Sequence, residues 1–184
     1  MKPELLAAVL CGGFSTRMGR DKGLIPVRST IQAKVVGGLS EALGLETVYA
    51  MRKEQEEAYS KYISPSKIIL DHTKYEGPLQ GLASVHDAFP DKDILLLACD
   101  MPEVKESTLR LLIKEYEKAS GEFYAFYDGN FFQTFCAVYT SEGMRKWLKE
   151  DIFSLQRLLN TGSTKKIKVP FVEHFENFNG SVRD

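Results

Sequence analysis

A chain of 184 residues, 43% hydrophobic and 27% charged, has room for one compact domain with a core of its own. A formal net charge of −1 argues against nucleic acid as the main partner, because no excess of lysine and arginine exists to neutralise a phosphate backbone. Three scattered cysteines, Cys11, Cys99 and Cys136, form no Cys-x-x-Cys pair and read as reduced thiols in apolar runs, not as a zinc site or disulfide frame.

The first element in chain order is an apolar run at 5–11, behind Lys2. It is too short for a secretory h-region with its flanks, Glu4 spoils the basic start, and Leu10 is too bulky for a cleavage site. No other stretch is long enough to span a bilayer, so a cytoplasmic protein without a membrane partner is expected. Further strand-like runs follow at 46–51, 67–70 and 93–98, with helix-compatible segments at 31–43, 54–62 and 79–89 between them. Runs that are continuously apolar suit strands buried on both faces of a parallel sheet, and their alternation with helices predicts a three-layer, Rossmann-like α/β domain.

Beyond residue 100 the texture changes. Leu109, Leu112, Ile113 and Tyr116 recur at helical spacing over 108–119. The runs 123–127 and 131–139 flank Asp128-Gly129-Asn130, which predicts a β-hairpin with an aromatic core. Short helices at 143–149 and 152–159 and a last strand at 166–169 complete the chain. With no repeat, low-complexity tract or linker, a single domain over 1–184 is expected, the half 1–105 binding one substrate and the half 106–184 the other.

In open α/β sheets ligands bind beyond the carboxyl ends of the strands. Four features fall there: the segment after the first strand, Asp71 after the third, the Gly77-Pro78-Leu79-Gln80-Gly81 loop, and Asp100 after the fourth. The first segment sets Gly12 and Gly13 directly behind a buried strand, where bare backbone N–H groups can turn toward an anion. Arg17 and Lys22 add fixed positive charge, and Ser15 and Thr16 add hydroxyl donors. The P-loop pattern fails because Arg20 follows Gly19, and no Gly-x-Gly-x-x-Gly is present. Asp100 ends a buried run, where a carboxylate needs a partner or a cation, so it is the candidate Mg²⁺ ligand. Gly77 and Gly81 mark a close backbone approach to a base or sugar. His72, His86 and His174 show no metal-ligand spacing and read as ordinary polar residues.

The segment Leu10-Cys11-Gly12-Gly13-Phe14-Ser15-Thr16-Arg17-Met18-Gly19-Arg20-Asp21-Lys22 resembles the L-x-G-G-x-S-x-R-M-G-x-D-K loop of the molybdenum cofactor guanylyltransferase (MobA) family. Gly77-Pro78-Leu79-Gln80-Gly81 is similar to its G-P-L-x-G element, and Cys99-Asp100-Met101-Pro102 to its C-D-x-P element, in the same order. The resemblance implies a nucleotidyltransferase fold, GTP and a molybdopterin-type cofactor as substrates, Mg²⁺ as cofactor, and molybdoenzyme maturation proteins as candidate partners. Carried over by position, Leu10, Cys11, Gly12, Gly13, Lys22, Asp71, Gly77, Gly81 and Asp100 would bind nucleotide. Arg17, Lys22 and Asp100 would be catalytic, with Asp100 on the metal. The chain departs from the family at the end of the second strand, where an asparagine is usual and Tyr49-Ala50-Met51-Arg52 stands, at Arg28-Ser29-Thr30-Ile31 in place of G-K-P-L, at Gln133 in place of histidine, and in its tail. The alternatives are a related cytidylyl or sugar-phosphate nucleotidyltransferase and a non-catalytic GTP-binding module.

Overall fold

The computed structural model describes residues 2–12, 21–72, 75–101, 103–150 and 153–169. Its elements run β1 (Leu5–Leu10), a 3₁₀ turn (Lys22–Leu24), β2 (Pro26–Val27), β3 (Thr30–Ile31), α1 (Gln32–Glu41), β4 (Glu46–Met51), a second 3₁₀ turn (Lys53–Gln55) and α2 (Glu56–Tyr59). A third 3₁₀ turn (Pro65–Lys67), β5 (Ile68–Leu70), α3 (Gly77–Ala88), β6 (Asp93–Ala98) and α4 (Glu106–Lys118) follow. The chain then forms β7 (Phe123–Tyr127), β8 (Phe132–Tyr139), α5 (Ser141–Trp147), α6 (Leu155–Thr161) and β9 (Thr164–Lys168).

Seven strands form one sheet in the order β5-β4-β1-β6-β8-β7-β9. β1 pairs in parallel with both β4 and β6, β4 with β5, and β7 with β9, while β8 runs antiparallel to both its neighbours. The carboxyl ends of β5, β4, β1, β6, β7 and β9 therefore all lie at one edge. Two apolar layers sandwich the sheet, because successive strand side chains alternate between its faces. Ala7, Val9, Tyr49, Leu95 and Leu97 meet Val36 of α1 and Leu109 and Leu112 of α4 on one face. Leu6, Ala8, Val48, Ile94 and Leu96 meet Leu79, Leu82 and Val85 of α3, Met144 of α5 and Leu158 of α6 on the other. Burial of β1 and β6 from both sides is why they read as unbroken apolar runs.

Several expectations are corrected. The stretch 54–62 is not one helix: a 3₁₀ turn gives only the four residues of α2. The 77–81 segment is not a loop but the opening of α3, where Pro78 sits in the first turn and its missing N–H costs nothing. The departure at Arg28-Ser29-Thr30-Ile31 builds the small hairpin β2–β3, with Arg28 at φ 52 in its turn. The 123–139 hairpin forms as expected, with a bulge: the β7–β8 register shifts between Ala125 and Tyr127, and Cys136 lies opposite it at φ 62. Its aromatic core holds Phe123, Tyr124, Phe126 and Phe132, but Phe131 is 65% exposed at the turn. All three cysteines are buried and free. Among the described residues no helix is long and apolar enough to cross a membrane.

Candidate active site

Four neighbouring strands, β5, β4, β1 and β6, deliver the site residues to one edge, in that order. β1 ends at Leu10, and Cys11 continues its ladder, its N–H donating to the Ala50 carbonyl at 2.8 Å. Gly12 follows. A Cβ at this position would lie 2.8 Å from Oδ2 of Asp71, so the close approach of the carboxylate admits only glycine without displacement. Gly13 and Arg17 lie outside the described residues.

Asp21 caps the first 3₁₀ turn, and its side chain gathers three donors. The Gly23 N–H reaches Oδ1 at 3.0 Å, the Tyr59 hydroxyl reaches Oδ1 at 2.7 Å, and Gln55 Nε2 reaches Oδ2 at 2.5 Å. The same Gln55 amide donates to the Cys11 carbonyl at 2.9 Å, and its Oε1 accepts the Arg52 N–H at 3.0 Å. One buried glutamine thus ties Cys11 and Asp21 to the end of β4. Burial pushes the Tyr59 phenol far above its ordinary range, which keeps it a neutral donor to Asp21. Cys11 and Cys99 stand on adjacent strand ends below this clamp, and burial, then the neighbouring Cys99, drives the Cys11 thiol upward. Sequence reasoning missed Gln55 and Tyr59; an isolated glutamine and tyrosine in a predicted helix carry no signal of their own.

Lys22, first residue of the 3₁₀ turn, reaches across β1 to Asp100 at the end of β6, Nζ to Oδ2 3.0 Å. The two side chains are 21% and 23% exposed, sheltered yet open to a ligand. Asp71 extends β5, its N–H donating to the Met51 carbonyl at 2.9 Å. Its Oδ1 is buried and has no hydrogen-bond partner among the described residues. Burial raises the Asp71 carboxyl, while the charges of Arg52 and His72 pull the other way. Gly81 packs behind this carboxylate, where a Cβ would lie 2.8 Å from Leu10 Cδ2 and 3.5 Å from Asp71 Oδ1. Gly77, at φ 59, opens onto free space and takes a left-handed conformation that glycine favours.

The sequence-selected Leu10, Cys11, Gly12, Lys22, Asp71, Gly81 and Asp100 therefore share one edge, with Gly77 at the start of the helix above it. The arrangement can hold an anion against Lys22 and the Gly12 backbone, with the Asp71 carboxylate to one side. Among the described residues no group of three or more His, Cys, Asp or Glu could hold a metal by itself. Asp100 already faces a cation at 3.0 Å, and a single oxygen ligand suits a hard divalent ion whose other ligands are phosphate oxygens and water.

The sheet and its edge define a nucleotidyltransferase-like α/β protein. Residues 7–165 match the model of the MobA-like NTP transferase domain, and the chain belongs to that family. A probable molybdenum cofactor guanylyltransferase from Nostoc sp. is 34% identical over 107 residues, covering 58% of this chain and 51% of the relative. The chain spans about half the length of the curated relatives it matches. Among solved structures, molybdopterin-guanine dinucleotide biosynthesis protein A from Archaeoglobus fulgidus aligns with a TM-score of 0.69 at 23% identity, over 88% of this chain and 82% of that one. The bifunctional IspDF of Campylobacter jejuni aligns with a TM-score of 0.75 at 10% identity, over 95% of this chain and 51% of that one. At these identities the structural likeness speaks for the fold.

Proposed function

We propose that the protein transfers GMP from GTP to the terminal phosphate of a molybdopterin-type cofactor and releases pyrophosphate. The observation that carries this reading is the Lys22–Asp100 pair on the strand edge that also carries Gly12, with an Asp71 oxygen at the end of β5 that has no hydrogen-bond partner among the described residues. Relatives named as molybdenum cofactor guanylyltransferases support the choice of substrates.

In this mechanism an acceptor phosphate oxygen attacks the α-phosphorus of GTP. The bond to the α–β bridging oxygen breaks as the new P–O bond forms, and pyrophosphate leaves with that electron pair. A phosphate nucleophile is already ionised near neutral pH, so no general base is needed, and the protein's work is positioning and charge neutralisation. Lys22, Arg17 and the amides of Gly12 and Gly13 hold the phosphates. Asp100 would hold Mg²⁺, which neutralises triphosphate charge when bound. Leu10, Cys11, Gly77 and Gly81 shape the nucleotide's seat, and Asp71 accepts donors from it. The antiparallel end of the sheet, from β8 to β9, faces the same edge and would seat the acceptor. We assign the reaction to the cytoplasm, a reading supported by three free thiols.

The test is pyrophosphate release from GTP, Mg²⁺ and molybdopterin cofactor, with thermal stabilisation by GTP, CTP, ATP and UTP measured in parallel. GTP-dependent release that needs the acceptor supports the assignment. GTP binding without release would leave a non-catalytic binding module, and preferential stabilisation by CTP would point to a cytidylyl transferase.

A further inference from the structure

We propose that Arg52 reads the nucleobase together with Asp71, the arginine donating to a ring carbonyl oxygen while the carboxylate accepts two neighbouring N–H groups. The inference rests on the GTP reading above and names what would make that site choose guanine.

Arg52 directly follows β4, between the strand ends that carry Gly12 and Asp71. The Cβ position of Gly12 is the meeting point: it lies 2.8 Å from Asp71 Oδ2 and 3.8 Å from both Cγ and N of Arg52. Only a side-chain-free residue separates the arginine stem from the carboxylate. The backbone of Arg52 is held by the Gln55 clamp that also ties Cys11 and Asp21, so the arginine and the phosphate loop are positioned by one residue. Asp71 supplies the independent sign of a ligand, a buried carboxylate oxygen with no hydrogen-bond partner among the described residues. The Arg52 charge is the first influence opposing the burial that raises this carboxyl, so arginine and carboxylate favour each other's charged form.

Complementarity selects the base. Guanine presents N1–H and its N2 amino group side by side, two donors for one carboxylate, with O6 next to them as an acceptor for a guanidinium. Adenine and cytosine set a single amino group beside a ring-nitrogen acceptor, which a carboxylate repels. Uracil offers one N–H between two carbonyls. A carboxylate beside an arginine therefore matches guanine and leaves an unpaired buried group with the others. A phosphate role for Arg52 fits less well, because β1 lies between it and Asp100: β4 and β6 flank β1 on opposite sides, about 10 Å apart.

The test measures binding of GTP, ITP and 6-thio-GTP with Mg²⁺ and no acceptor, to wild type and to Arg52→Met. ITP lacks the N2 amino group that Asp71 reads, and 6-thio-GTP replaces O6 with a poor acceptor while keeping both N–H donors. Wild type is expected to prefer GTP over each analogue. Arg52→Met should weaken GTP binding about 10- to 100-fold, the range of one good paired contact to a base. It should also abolish the preference over 6-thio-GTP while keeping the preference over ITP. Equal weakening toward all three nucleotides, or unchanged GTP affinity, would overturn the assignment. If Arg52→Met fails to fold, Arg52→Gln serves, since one remaining donor predicts an intermediate GTP to 6-thio-GTP ratio and an unchanged ratio refutes the role. Preference of the unmutated protein for CTP would instead strike at the proposed function, a separate result read without any variant.

Discussion

Replacing Gln55 by glutamate tests whether the clamp at the mouth of the loop works as the geometry requires. The two side chains have nearly the same shape, and the Oε1 that accepts the Arg52 N–H is kept. The Nε2 atom, which donates to Asp21 at 2.5 Å and to the Cys11 carbonyl at 2.9 Å, becomes an oxygen facing two acceptors. Losing one hydrogen bond to a charged group and one to a neutral carbonyl costs about 2–4 kcal/mol. The introduced carboxyl can escape part of the repulsion by taking up a proton. Protonating an ordinary glutamate at pH 7 costs about 3.7 kcal/mol, which sets a similar ceiling. Because the folded state then binds a proton that the unfolded state has released, the loss is largest at neutral pH. It shrinks by about 1.4 kcal/mol for each pH unit as pH falls toward the unfolded carboxyl's value, leaving about 1 kcal/mol at pH 5. Urea unfolding of wild type and Gln55→Glu at pH 7 and pH 5 reads this directly. A difference between the two proteins that is independent of pH, or below about 1 kcal/mol at pH 7, would refute the clamp.

Three other outcomes follow from the same edge. Lys22→Ala and Asp100→Ala should each reduce turnover by about 10²–10³-fold, and near wild-type activity of Asp100→Ala with Mg²⁺ would remove the metal assignment. Gly23→Ala places a Cβ 2.1 Å from the Tyr59 hydroxyl, so it should destabilise the fold by about 1–3 kcal/mol, measured by chemical denaturation. For Asp71, burial raises the carboxyl above its ordinary value in the folded state, so the charged form weakens the fold above that raised value and the penalty disappears as pH falls below it. Asp71→Asn should therefore be more stable than wild type at pH 7, with the gap closing on acidification. A gap that widens at low pH in paired thermal melts would contradict the burial argument.

Much of the fold was legible because burial on both faces writes itself into a strand. The runs at β1 and β6 contain almost no polar residue, and the Asp128-Gly129-Asn130 turn fixed the β7–β8 hairpin by local conformational preference. Elements with weaker local signals were misplaced. α2 is only four residues long, too short for periodicity to define it, and α3 opens two residues early because Pro78 is tolerated in a first turn.

The candidate site divides in the same way. Local chemistry was enough to select Gly12, Lys22, Asp71 and Asp100, since two glycines behind a strand, a following cation and carboxylates at strand ends carry their meaning in the chain. Strand order was not contained in any local pattern. It puts β1 between β4 and β6, so Lys22 meets Asp100 from 78 positions away in the chain and Asp71 presses on Gly12. Gln55 and Tyr59 are ordinary polar residues in sequence, and they acquire a role only where folding brings Cys11 and Asp21 within hydrogen-bonding reach of them. The sequence by itself determined which chemistry could be presented, because side-chain type and strand burial are local properties. Which groups face one another, and the Asp71 oxygen left without a partner among the described residues, were decided by tertiary structure alone, because such contacts depend on how distant segments pack.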